Sequence, residues 1–131
     1  MEILFLIGRI LFGGFFLMNG INHFKNANGL TQYVASKSVP SPKVAVYLTG
    51  LMLLLGGLGV ILGIYTELSL WLIIVFLILT SFKMHDFWSV SDPSQKMPEQ
   101  INFMKNMALA GAALMILALS EPWVLSLNLG F

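Results

Sequence analysis

At 131 residues the chain has room for one domain. With 57% hydrophobic against 10% charged residues, it lies far from the roughly 25% charged residues of soluble domains, so its solvent is lipid. A net charge of +1 gives no basic field for nucleic acid, and the absence of cysteine excludes disulfide exchange, thiolate-held iron–sulfur clusters and a thiol nucleophile.

The first predicted span covers residues 3–23 and is broken between 3 and 21 only by Arg9 and Asn19. Met1-Glu2-Ile3-Leu4 has no basic region ahead of the apolar run, which continues through Gly13-Gly14-Phe15-Phe16; this reads as a retained span and not as a secretion signal. In residues 25–43, Leu30, Tyr33 and Val34 recur at helical spacing among Thr31, Gln32, Ser36 and Lys37, the pattern of a short interfacial helix. Val39-Pro40-Ser41-Pro42 ends that helix, and Pro42 is suited to start the next.

The second span, 43–64, has no charge between Val44 and Ile64, and Tyr65-Thr66-Glu67 turns the chain into an antiparallel third span at 67–87. The β-branched residues of the third span do not make it a strand, because an open sheet edge in lipid leaves backbone groups unpaired. Residues 89–100, with Pro93 and Pro98, read as a polar loop, and the fourth span, 101–120, carries Lys105 and Asn106. Each run is close to the ~20 residues that cross a bilayer core. The expected fold is all-α: a four-helix transmembrane bundle with a short interfacial helix between spans one and two, forming one membrane domain.

Tyr65, Trp71 and Trp123 fall at one expected interface and Tyr33, Phe87 and Trp88 at the other, as aromatic belts do. Lys25, Lys37, Lys43, Lys83, Lys96 and Lys105 share the long-loop side, whereas Arg9 and the terminal amine share the other. The positive-inside rule then puts both termini outside a multi-pass plasma-membrane protein. Spans one, two and four are rich in Gly and Ala, which lets backbones approach where lipid supplies no hydrophobic drive. Gly56-Gly57-Leu58-Gly59 lacks the following Lys-Ser/Thr of a phosphate loop and reads as packing. Gly59-x-x-x-Gly63 is a candidate dimer face, so a homo-oligomer is one expected partner.

Antiparallel alternation sends the end of span one, the end of span three and the start of span four to one side. Asn19 and His23 share a helix face at the first of these ends, His85 and Asp86 close span three with Trp88 just beyond, and Lys105 and Asn106 open span four. These seven residues are the candidate ligand-binding set, because ionisable groups in a span are costly and are kept for function by default. The structural counterpart is snorkelling of the lysines and pairing of Asp86 with Lys83 or Lys105. His23 and His85 form no ligand-pair motif, so no metal is expected. Arg9 stands apart, roughly 9–12 Å into span one from the other face, with Glu67 or Glu121 as the expected counter-ion.

These residues carry a resemblance. Gly8-Arg9, Asn19-Gly20-Ile21-Asn22-His23-Phe24, Val39-Pro40, His85-Asp86-Phe87-Trp88 and Phe103-Met104-Lys105-Asn106-Met107-Ala108 with Gly111 follow the order and spacing of the DoxX family of small four-helix membrane proteins, and the chain resembles that family over nearly its whole length. The resemblance implies a redox-associated membrane protein, since the family's name refers to a subunit of a thiosulfate-to-quinone oxidoreductase. Many relatives carry a carboxylate in span two; Thr49-Gly50-Leu51-Met52-Leu53 has none, so a proton path through that group lacks its residue here.

Two functions follow as expectations. The first is a quinone- or lipid-binding accessory subunit of a redox-linked membrane complex, with His23, His85 and Asn106 bonding a quinone head group, Asp86 orienting a histidine and Trp88 or Phe24 stacking on the ring. Nothing in the chain carries electrons by itself, so it is read as a subunit and not as an enzyme on its own. The second is a noncatalytic assembly factor or scaffold whose polar face docks a neighbouring subunit.

Overall fold

The computed structural model describes residues 1–119 and 122–127. They form five α-helices, α1 (Glu2–Lys25), α2 (Ala27–Ser36), α3 (Pro42–Leu62), α4 (Thr66–Met84) and α5 (Pro93–Leu117), with a short 3₁₀ turn at Phe87–Ser89. No strand occurs among the described residues. Helix α1, helix α3 and the stretch Thr66–Ser89 are long and apolar enough to cross a membrane.

Local chemistry sets the boundaries. The single residue Asn26 separates α1 from α2, its N–H donating to Asn22 O at 2.8 Å. Pro42 occupies the first turn of α3, where a missing N–H costs nothing. Gly63 ends that helix at φ +73° with its N–H on Gly59 O, a conformation that suits a residue without Cβ. Helix α5 begins eight residues before the expected span and absorbs much of what reads as a polar loop. The cause is an N-cap: Asp92 Oδ1 accepts from Ser94 N–H at 3.0 Å and from Ser94 Oγ at 2.9 Å, with Pro93 beside it. Pro98 lies inside the helix, near enough to its start that only one interior bond is lost.

Helix α1 packs on α3, α3 on α4 and α4 on α5, while α2 lies across α3. The α1–α3 contact is backbone to backbone. A Cβ on Gly13 would stand 2.6 Å from Gly57 O, and one on Gly57 would stand 2.6 Å from both Gly13 O and Leu17 N. Gly59 meets Ser69 of α4, and Gly63 meets Ser126. The Gly59-x-x-x-Gly63 face is therefore used within the protomer and is not a free dimer face.

Phe16, Leu53, Val60, Leu70, Ile73, Leu77, Ala110 and Ala113 form the buried centre. Apolar side chains also cover the outside: Leu11, Leu48, Leu79 and Met115 are all more than half exposed. Helices that are apolar on both faces belong in lipid.

Candidate functional site

The turn at Asn26 folds α2 back toward the start of α3, and a cavity of about 330 Å³ lies between these helices, the end of α1 and the end of α4. Leu30, Val34, Val39, Val46, Phe76, Leu79 and Met84 make its apolar wall, and His23, Tyr33, Thr49, Thr80, Lys83 and His85 supply polar groups. Gly50 makes room for the first histidine. A Cβ there would stand 2.8 Å from His23 Cβ and 3.1 Å from the Phe24 ring.

Both imidazoles are held by one nitrogen. His23 Nδ1 lies 2.8 Å from Asn19 O one turn earlier, and a carbonyl can only accept, so Nδ1 carries the proton. The ring packs edge to face on Phe76, 5.9 Å between centroids. His85 Nδ1 lies 3.0 Å from Glu99 Oε2, and the two side chains are 16% and 19% exposed. The proton is again on Nδ1, facing a carboxylate. In neither ring does Nε2 have a partner among the described residues.

A polar rim closes the cavity toward the loops. Lys37 Nζ donates to Asp86 Oδ1 at 2.8 Å, tying the end of α2 to the second residue beyond α4. Asp86 thus pairs with Lys37, not with Lys83 or Lys105, because α2 brings Lys37 across the bundle end. Tyr33 donates its hydroxyl to Met84 O at 3.3 Å. The Lys37 ammonium is held above the ordinary lysine value by its hydrogen bond to Asp86. Burial, then the nearby Glu99 carboxylate, pushes the Tyr33 phenol up.

At the opposite end Arg9 is 2% exposed and meets no carboxylate among the described residues. Its Nε donates to Val60 O at 3.1 Å and its Nη2 to Ile61 O at 2.8 Å; Nη1 and Nη2 also reach Val124 O at 2.5 Å and Leu125 O at 3.2 Å. The guanidinium lies 5.6 Å from the Phe5 ring centre and 5.7 Å from that of Trp123. Glu67, one expected counter-ion, is not paired with it; Glu121, the other, lies outside the described residues. Gly59 O accepts from Gly63 and Ile64 N–H, and Leu62 O accepts from Leu127 N–H. The last four carbonyls of α3 are thereby all satisfied, two of them by Arg9, at the negative end of that helix.

Of the seven residues expected to converge, the structure brings His23 and His85 to one cavity and puts Asp86 on its rim. Asn19 donates its amide to Phe15 O on its own helix and lines a shallow groove on the outside of α1. Trp88 joins Phe82, Phe87 and Phe103 in an aromatic cluster. Lys105 is exposed, with its ammonium 5.8 Å from the Phe15 ring centre. Asn106 is buried on α5, away from the cavity lining. Tyr33, Lys37, Thr49 and Glu99 take places that sequence reasoning did not assign. A signal for Glu99 was present: Asp92 followed by Pro93, with Gln95 three residues on, starts a helix that carries Glu99 toward His85.

The model of the family described as DoxX matches residues 4–86, a range that holds both cavity histidines and stops before Glu99. The chain is also similar to the inner membrane protein YphA of Escherichia coli (strain K12), 31% identical over 126 residues, which are 96% of this chain and 89% of that protein. No solved structure matches it.

Proposed function

The chain belongs to the DoxX family, and from that premise we propose that it is a multi-pass plasma-membrane subunit that holds the head group of a quinone in the cavity between α1, α2, α3 and α4. In this reading α5 is a fourth crossing, and the lysine-rich end that bears the cavity faces the cytoplasm. One observation carries the proposal. Two histidines border an apolar cavity, each fixed through Nδ1 and each with Nε2 unpartnered.

The residues fit such a ligand. A volume of about 330 Å³ is at the small end of the ~300–1,000 Å³ typical of ligand sites, enough for one ring, with the tail in lipid. Phe76 and Leu79 supply apolar surface, and His23 and His85 offer Nε2 atoms to the oxygen substituents of the ring. A bound quinone would supply two-electron, two-proton chemistry that the chain lacks. The protein's part is to keep water from the ring and to offer imidazole nitrogens that can exchange protons with its oxygens. Electrons would pass to a neighbouring redox subunit.

The test is extraction of the protein from membranes in mild detergent, followed by lipid extraction and mass spectrometry, for wild type, His23→Ala and His85→Ala. Quinone at near-stoichiometric yield in wild type, and its loss in the variants, is the expected result. Absence of quinone from wild type, together with unchanged quinone-linked respiration in the variants, would overturn the proposal. A stable copurifying partner without quinone would instead select the noncatalytic scaffold.

A further inference from the structure

The hydrogen-bonding capacity around the cavity is unbalanced. Tyr33 spends its hydroxyl proton on Met84 O and Thr49 spends its own on Ala45 O at 2.7 Å. His23 spends its Nδ1 proton on Asn19 O, and His85 spends its Nδ1 proton on Glu99. With one proton on each ring, at Nδ1, what these four groups still offer is lone pairs, namely two Nε2 atoms and two hydroxyl oxygens. Thr80 can act either way. Lys83 is a donor only, but it is exposed, and its ammonium can turn to water.

A cavity that presents acceptors suits an occupant that presents donors. We infer that the site prefers an amphiphile with paired hydroxyl donors, the reduced quinol over the oxidised quinone, and that Glu99 is the positioning residue that enforces this by fixing the tautomer of His85. The inference rests on the quinone reading above. A quinone turns two carbonyl oxygens toward groups that can only accept, whereas a quinol donates a proton to each histidine Nε2. No bond to carbon changes and no electron moves in this step; the two ligand forms differ in hydrogen-bond sign. Glu99 does not line the cavity; it reaches the site through the Nδ1–H that it accepts from His85 and through the neighbouring Tyr33 phenol. Replacing it frees Nδ1 and lets the ring take the other tautomer, with Nε2 a donor.

A polyol lipid head group shares the paired hydroxyls, so the experiment must separate the two sources. Full-length protein in nanodiscs is titrated anaerobically with decylubiquinol and with decylubiquinone near pH 8, above the ordinary histidine range. The titrations are run with and without phosphatidylglycerol in the bilayer.

Wild type is expected to bind the quinol about tenfold tighter, which raises the midpoint potential of the bound couple by about 30 mV. Glu99→Ala is expected to bring the two affinities together while the oxidised form still binds, a change in ratio that simple loss of packing would not produce. Equal binding of both forms by wild type would overturn the inference and leave the quinone reading standing. Failure to bind either form would overturn both. Displacement of the quinol by phosphatidylglycerol at matched mole fraction would overturn the quinol assignment in favour of a polyol lipid.

Discussion

Arg9→Met asks whether the buried guanidinium is a structural clamp. Methionine keeps an unbranched apolar stem and removes all four N–H···O=C bonds. Val124 and Leu125 are exposed, so their carbonyls recover water, but Val60 is fully buried and Ile61 partly so. Two orphaned carbonyls cost about 1–3 kcal/mol each. Against that, removing a charge from the bilayer centre returns ~2.5–3.5 kcal/mol on the insertion scale. Arg9 lies toward one end of α1, where the charge penalty is below that value, so the orphaned carbonyls win by about 1–2 kcal/mol. The expected result is a Tm lower by about 5–10 °C in detergent, with faster hydrogen exchange at the Leu127 amide, whose bond to Leu62 O depends on the same docking. Arg9→Lys should not rescue it, since one ammonium cannot span carbonyls on two segments. An Arg9→Met protein with unchanged Tm and a protected Leu127 amide would refute the clamp.

Gly57→Ala drives a methyl group into Gly13 O and Leu17 N, which are backbone atoms and cannot turn aside. A loss of about 1–3 kcal/mol in reversible detergent unfolding is expected, and no loss would mean that α1 and α3 do not touch there. Asp92→Ala removes the cap of α5 and should cost about 1 kcal/mol, with exchange rising at the Ser94 amide that the carboxylate caps; unchanged exchange would count against the cap. Lys37 and Tyr33 both have folded-state pKa values above their ordinary ones. Their stabilising contribution is therefore complete below about pH 10 and is lost as pH rises through the raised values. Unfolding measured between about pH 9 and 12 should show a decline that Lys37→Met and Tyr33→Phe each reduce, and a decline identical in all three proteins would sink the assignment.

The helices were legible because each is encoded locally. The charge-free run from Val44 to Ile64 has no stable conformation in lipid other than a helix, and Pro42 and Gly63 mark its ends by backbone geometry alone. The same local logic, followed through Asp92, Pro93 and Gln95, would have extended α5 backward to reach Glu99. His23 and His85 stood out because polar groups are rare in apolar runs.

Which groups meet was not legible, because partners far apart in the chain are chosen by packing. Lys37 and Asp86 are 49 positions apart and Arg9 and Val124 are 115 apart. No periodicity relates such residues; the Gly13–Gly57 contact and the fold-back of α2 do. The sequence by itself determined a lipid-embedded helical chain with sparse polar residues near its ends. Only the tertiary structure decided that backbone carbonyls answer Arg9, and that two histidines border one cavity with the same nitrogen of each tied down. Both depend on how closely the helices approach, which glycine permits and the far partner completes.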